Sequence, residues 1–140
     1  MFVLDTNVIS ELRKAGDGRA DANVTTWIAR QDAAGFFVSA ITLMELEIRV
    51  LQVGQRDPLQ GARLRMWLDT HVLPEFAERT LPIDATVALQ CARLHVADRR
   101  SERDALIAAT AIVHGMTVVT CNVGDFDGAG VSLVNPWDSP

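Results

Sequence analysis

Cysteine is scarce in this chain: Cys91 and Cys121 are the only two among 140 residues, far apart and without a C-x-x-C spacing. That leaves neither a disulfide framework nor a cysteine-rich zinc site, and both are expected to be reduced thiols. Long apolar runs are missing as well. The run from Ala105 to Val113 is closed by His114 and Gly115, far below the roughly 20 residues of a membrane span, so no membrane contact is expected. Only four residues precede the first acid, Asp5, which leaves no room for the charged and apolar regions of a signal peptide, and a cytoplasmic location is expected. Repeats, linkers and low-complexity stretches are absent. The mixture of 49% hydrophobic and 22% charged residues is that of an ordinary globular protein, and the length suits one domain over residues 1–140, since domains run to roughly 100–200 residues.

Positive charge is in deficit, with 13 Lys and Arg against 18 Asp and Glu and a formal net charge of −5. Nonspecific attraction to nucleic acid comes mainly from Lys and Arg, so the whole surface is not a phosphate-binding one. A net value hides its distribution, however. If several acids are gathered into one metal site, the remaining surface is close to neutral, and Arg93, Arg99, Arg100 and Arg103 form a local basic group.

What is present alternates between short apolar strands and helical stripes. Phe2-Val3-Leu4 ends in Asp5, as a buried parallel strand does at its carboxyl edge, and Asp5-Thr6-Asn7 offers capping side chains for a helix through Leu12. A second helix is expected over Ala22–Gln31, a strand over Phe36–Val38, and a helix capped by Ser39 with Ile41, Met44, Ile48 and Leu51 as its buried stripe. Asp57-Pro58 starts a long helical stretch that Pro74 kinks or restarts. Leu81–Ile83 reads as an edge strand, and Asp84 caps a helix carrying Val87, Leu89, Cys91 and Leu94. A helix from about Arg103 ends at Gly115, a strand covers Met116–Thr120, a glycine-marked loop follows, and Val131–Val134 is the last strand. Strands apolar at every position and separated by helices imply an α/β fold with a short, mostly parallel central sheet flanked by helices.

In such sheets ligands bind beyond the carboxyl ends of the strands. Asp5 stands there, although capping alone would account for it. Asp125 and Asn122 follow the Thr120 strand, where a turn role is the simpler reading. Asp104 starts a helix whose alanines permit close approach to the sheet, although an acid there also suits the helix dipole. Glu45 and Glu47 flank the stripe of their helix equally; Glu45 is nearer the strand edge, but has Arg49 four residues on as an ion-pair partner. His71, His95 and His114 show no triad-like partners, and Trp27, Trp67 and Trp137 read as packing residues. A glycine-rich dinucleotide turn is missing after the first strand, and Asn7 stands where a haloacid-dehalogenase-type phosphatase would carry its second acid.

Taken together, the run from Phe2 to Glu11, Met44-Glu45-Leu46, Arg103 to Ala111, Thr120 to Phe126 and Asn135-Pro136-Trp137 resembles PIN-domain ribonucleases, with VapC-type toxins of the FitB-like branch the nearest likeness. The resemblance implies a three-layer α/β/α fold and a metal-dependent RNA endonuclease, with Asp5, Glu45, Asp104 and Asp125 on the acidic quartet and Thr6 and Asn122 in support. It also implies RNA as substrate, pairing as a homodimer, and a small VapB-like, DNA-binding antitoxin as partner. Cys121 departs from the pattern, since many relatives carry Arg there, so a phosphate contact is missing. Four carboxylates gathered in one crevice repel by roughly 3 kcal/mol per pair at about 5 Å and an effective dielectric near 20. A divalent cation offsets that, and oxygen ligands without a Cys-His cluster favour Mg²⁺, with Mn²⁺ as substitute. On this reading Asp5 and Asp104 are the principal ligands, Glu45 orients the attacking water, and Asp125 completes the shell. The rival expectation is a PIN-like protein-binding module that no longer cleaves, for which Leu43, Leu46, Val50 and Leu51 supply apolar surface.

Overall fold

The computed structural model describes residues 1–138; residues 139 and 140, part of the single-domain expectation, lie outside the described residues. Five short strands form one sheet in the order β3-β2-β1-β4-β5: β1 (Phe2–Leu4), β2 (Phe36–Ser39), β3 (Thr80–Leu81), β4 (Thr117–Val119) and β5 (Leu133–Val134), with every neighbouring pair parallel. Adjacent residues of a strand face opposite sides. Val3 and Val118 accordingly enter one core, and Leu4 and Val119 the other.

The helices fill both faces. On one, α6 (Ala85–Ala97), α7 (Glu102–His114) and α8 (Val123–Phe126) bury Val87, Cys91, Leu94, the alanines of α7 and Phe126. On the other, α1 (Thr6–Ala15), α3 (Ala40–Arg56) and α4 (Pro58–Trp67) bury Val8, Ile9, Leu46, Val50 and Leu64. The shorter α2 (Ala22–Ala29) and α5 (Leu73–Glu75) complete the chain, and no helix among the described residues is long and apolar enough to cross a membrane. The result is a three-layer α/β/α arrangement.

The caps explain where the elements begin. Asp5, Ser39, Asp57 and Asp84 each accept a backbone N–H of the helix they precede, at 2.8, 3.1, 3.2 and 3.0 Å. Gly115 closes α7 in the left-handed region at φ 66°, where a Cβ is disfavoured. Pro74 stands in the first turn of α5, where the helix restarts as expected. The distortion falls upstream, in the π-helical turn Leu68–Val72, because Pro74 has no N–H to donate back along the helix.

Four expectations are corrected. The buried stripe of α3 is Ile41, Thr42, Leu46 and Val50, while Met44 and Leu51 are 40% and 56% exposed. The reason is that α3 is packed on two sides, by the sheet and by α4, where Gly61 lies so close to Gly54 that a Cβ would come within 2.4 Å of the Gly54 Cα. Leu89 is 69% exposed, since Val87, Cys91 and Leu94 already complete the helical spacing of α6. The segment after β4 contains α8 rather than only a loop, and the outer strands are shorter than expected, because Pro82 cannot donate to the ladder and Val131-Ser132 precede the two paired residues of β5.

Candidate active site

Strand order reverses beside β1: the chain moves outward through β2 and β3, then returns to add β4 and β5 on the other side. This switch point opens a crevice beyond the carboxyl ends of β1 and β4. Asp5 leaves β1 there, and its N–H donates to the Val119 carbonyl at 2.9 Å. Its carboxylate is buried and accepts three hydrogen bonds. Oδ1 caps α1 through the Thr6 N–H at 2.8 Å, and Oδ2 accepts the Thr120 hydroxyl at 2.8 Å and the Asn7 amide at 3.0 Å. Asp5 therefore caps α1 and at the same time lines the cleft.

Glu45 and Glu47, equivalent on the helical wheel, part company in space. The Thr6 hydroxyl donates to Glu45 Oε1 at 2.8 Å, and Arg103 stands 3.9 Å from its other oxygen. Glu47 instead takes a two-pronged contact from Arg65 of α4, at 2.7 and 2.5 Å. The expected Glu45–Arg49 ion pair is absent among the described residues. Asp104 projects from the first turn of α7, half-buried, and faces the same cleft as Asp5, Glu45 and Asn122. That cleft measures about 610 Å³. Asp125 is exposed on α8 and lines a smaller cavity of about 220 Å³ on the other side of Asp104. Asp104 thus joins the two, and Asp125 reaches the acidic group from outside the main cleft.

Sequence reasoning passed over Asn7 and Thr120. Asn7 bridges the loops, its amide donating to Asp5 Oδ2 and Thr120 Oγ1 while its Oδ1 accepts the Cys121 N–H at 3.2 Å. Thr120 also accepts the Asn122 N–H at 2.9 Å. The available signal was a hydroxyl on the residue after β4, directly beside the residue after β1. The expected basic group disperses: Arg103 turns to Glu45, while the Arg100 side chain is 7% exposed, its Nη2 3.7 Å from Asp98, with neither Nε nor Nη2 making a hydrogen bond.

Electrostatics single out the cleft. Burial, and then the charges of Asp125, Asp5 and Glu45, push Asp104 up to about 6. Burial also raises Asp5, against the lowering effect of its three hydrogen bonds. Cys121, at the cleft wall, is raised by burial too, so it is a neutral thiol beside the acids. Among the described residues no Lys, Arg or His lies within 4.0 Å of the carboxylates of Asp5, Asp104 or Asp125, and no three His, Cys, Asp or Glu side chains converge into a closed chelate. An oxygen-only set of donors with negative charge in excess suits a hard divalent cation, which would draw the carboxylates together against their repulsion.

The comparisons with known proteins agree with this arrangement. The PIN domain model matches residues 2–129. The chain is 39% identical over 145 residues to VapC ribonuclease Y4jK of Sinorhizobium fredii, covering 99% of each. It superposes on the crystal structure of FitAcB from Neisseria gonorrhoeae with a TM-score of 0.87 at 34% identity, covering 98% of this chain and 99% of that one. A toxin-antitoxin complex from Klebsiella pneumoniae gives 0.66 at 26% identity over 97% and 98% of the two chains. With a match that takes in β1 to β4, the strand ends at the switch point and all four acids, the chain belongs to the PIN domain family.

Proposed function

We propose that this chain, as one PIN domain, is a metal-dependent endoribonuclease and the toxin of a toxin-antitoxin pair. The observation that carries the reading is the meeting of Asp5, Glu45 and Asp104 in one cleft at the β1–β4 switch point with no Lys, Arg or His beside Asp5 or Asp104, in a chain related to a VapC ribonuclease. Asp5 and Asp104 would be the principal holders of Mg²⁺, or Mn²⁺ in its place, with Glu45 and Asp125 completing the set and Asn122 beside them. When bound, the cation would lower the pKa of a water, hold the scissile phosphate and neutralise charge developing at phosphorus.

The chain's own groups prepare for this. Thr120 and Asn7 fix Asp5 Oδ2, the Thr6 N–H fixes Oδ1, and the Thr6 hydroxyl fixes Glu45 at 2.8 Å. Such supporting hydrogen bonds set the orientation of carboxylate ligands. Glu45, held on one oxygen, keeps its second toward Arg103 and is placed to orient the water that attacks the phosphodiester. Asp104 must lose its proton to take part, which its raised pKa delays until about pH 6. On this reading the substrate is RNA, the partner a small DNA-binding antitoxin, the assembly a homodimer and the location the cytoplasm; the likeness to a toxin-antitoxin complex and to FitAB bound to a DNA fragment supports the antitoxin partner, and the likeness to a VapC ribonuclease supports the RNA substrate.

The test is cleavage of a fluorescent single-stranded RNA in Mg²⁺. Wild-type protein cuts, EDTA stops it, and Asp5→Asn or Asp104→Asn protein stays folded and inactive. Full activity in either variant would overturn the mechanism. Absence of cleavage by the wild type in both Mg²⁺ and Mn²⁺, with the antitoxin removed, would leave the binding-module reading instead.

A further inference from the structure

The main cleft has a second end beyond the acids of the candidate site, where Glu11 is balanced by Lys14 at 3.2 Å. Away from Asp5 it is walled by Trp67 of α4 and by Trp137, and edged by Arg13 of α1 and Arg49 of α3. The three tryptophans, alike as packing residues in sequence, differ here. Trp27 packs against Phe2 and Phe36, with ring centroids 5.0 and 6.0 Å away, and does not line the cleft. Trp67 and Trp137 rest one side on the core and leave another on the cleft, each half-buried.

Trp137 is held in place by its backbone: its N–H donates to Asn135 Oδ1 at 3.0 Å and its carbonyl accepts the Asn23 amide at 2.9 Å. Arg13 stands over the Trp67 ring at 5.9 Å. Neither Arg13 nor Arg49 makes an ion pair among the described residues, so two cations are available. Helix geometry spaces them from the acids. Arg13 lies eight residues along α1 from Asp5, about 12 Å, and Arg49 four residues along α3 from Glu45, about 6 Å. Two indoles beside two unpaired guanidinium groups, at one remove from a phosphate-cleaving centre, form the combination that binds single strands: aromatic faces for bases and cations for the backbone.

Resting on the nuclease reading above, we propose that this arm of the cleft takes one unpaired nucleobase flanking the scissile phosphate, stacked against Trp67 and Trp137, with Arg13 and Arg49 on the adjoining phosphates. The slot makes the enzyme selective for single-stranded segments. A base held in a duplex cannot enter it.

The experiment walks a single abasic nucleotide through the positions flanking the cut of a short RNA, with wild-type protein. At one position kcat/KM falls about 5- to 150-fold, the loss of one base stack. Trp67→Leu and Trp137→Leu raise KM by a similar factor with kcat little changed, and the abasic substitution then costs nothing more; Trp67→Phe and Trp137→Phe recover most of the loss. A duplex of the same sequence is cut poorly. A walk that finds no sensitive position, a penalty undiminished in the Leu variants, or equal cutting of the duplex would each overturn the slot while leaving the nuclease intact. Fluorescence separates the opposite failure. In the Asp104→Asn background the oligonucleotide quenches emission, and the Trp67→Phe/Trp137→Phe pair, leaving only Trp27, abolishes the quenching. Quenching retained by that pair would sink the proposal, whereas quenching without cleavage by wild-type protein in any divalent cation would keep the slot and remove the nuclease.

Discussion

The two halves of α3 answer to different physics. Its first turns carry Glu45 into a cleft where acids outnumber cations and burial holds charge at a cost; its last turns carry Gly54 against Gly61 of α4, where the limit is space. Between them, Glu47 is neutralised by Arg65, whose hydrogen bonds hold the carboxyl below its usual range. Two glutamates two residues apart thus have opposite fates. The lesson is that acidity marks nothing by itself: the site is where carboxylates are brought together and left uncompensated, as shown by Asp104 being pushed up while Glu47 goes down.

That contrast can be broken most directly at its extreme. Asp104→Asn or Asp5→Asn should lower kcat/KM by more than the roughly 10- to 100-fold typical of groups that merely support metal ligands, as measured on a fluorescent RNA, whereas Thr6→Val or Thr120→Val should fall within that span. At the packing end, Gly61→Ala should destabilise the fold by about 1–3 kcal/mol in urea, since two helix backbones must separate, yet leave the KM of surviving folded protein unchanged.

Proton linkage sharpens the comparison further. Asp104 has a raised pKa in the folded state, so the metal-free native protein binds more protons than the unfolded chain between about pH 4 and 6. Its contribution is fully present below the unfolded pKa and is lost as pH rises through about 6. Melting curves in EDTA should therefore show stability falling across that window, with the fall reduced in Asp104→Asn, while Mg²⁺ affinity measured by calorimetry should rise over the same range. The smallest effect belongs to the balanced pair. Glu47→Gln should change kcat/KM less than about two-fold, as expected for an exposed ion pair away from the chemistry. If Glu47→Gln cost as much as Glu45→Gln, the distinction drawn between the two would collapse.

Much of the scaffold was legible because it is locally encoded. The capping acids, Ser39 and Gly115 mark helix ends through groups within three residues of them, and unbroken apolar strands reveal a sheet buried on both faces. Legibility failed where a distant element decided. The stripe of α3 was misjudged because α4 packs on it through a glycine contact invisible to periodicity. The choice between Glu45 and Glu47 was open until Thr6, on another helix, and Arg65, on a third, claimed one each. Asn7 and Thr120 escaped notice because their hydrogen bond spans 113 positions of sequence. Asp104 and Asp125 could be named from the resemblance, but only the folded chain shows Asp104 standing between two cavities with Asp125 on the farther side.

The placement of β1 at the middle of the sheet carries one more implication, for the order in which the molecule is born. The strand β1 is made before both of its neighbours and gains the second only when residues 117–119 arrive. Until then Asp5 lacks the threonine that clasps it, and Asp104 has no helix docked to present it. A toxin arranged in this way has no assembled cutting centre until the residues of β4 have left the machinery that synthesises it.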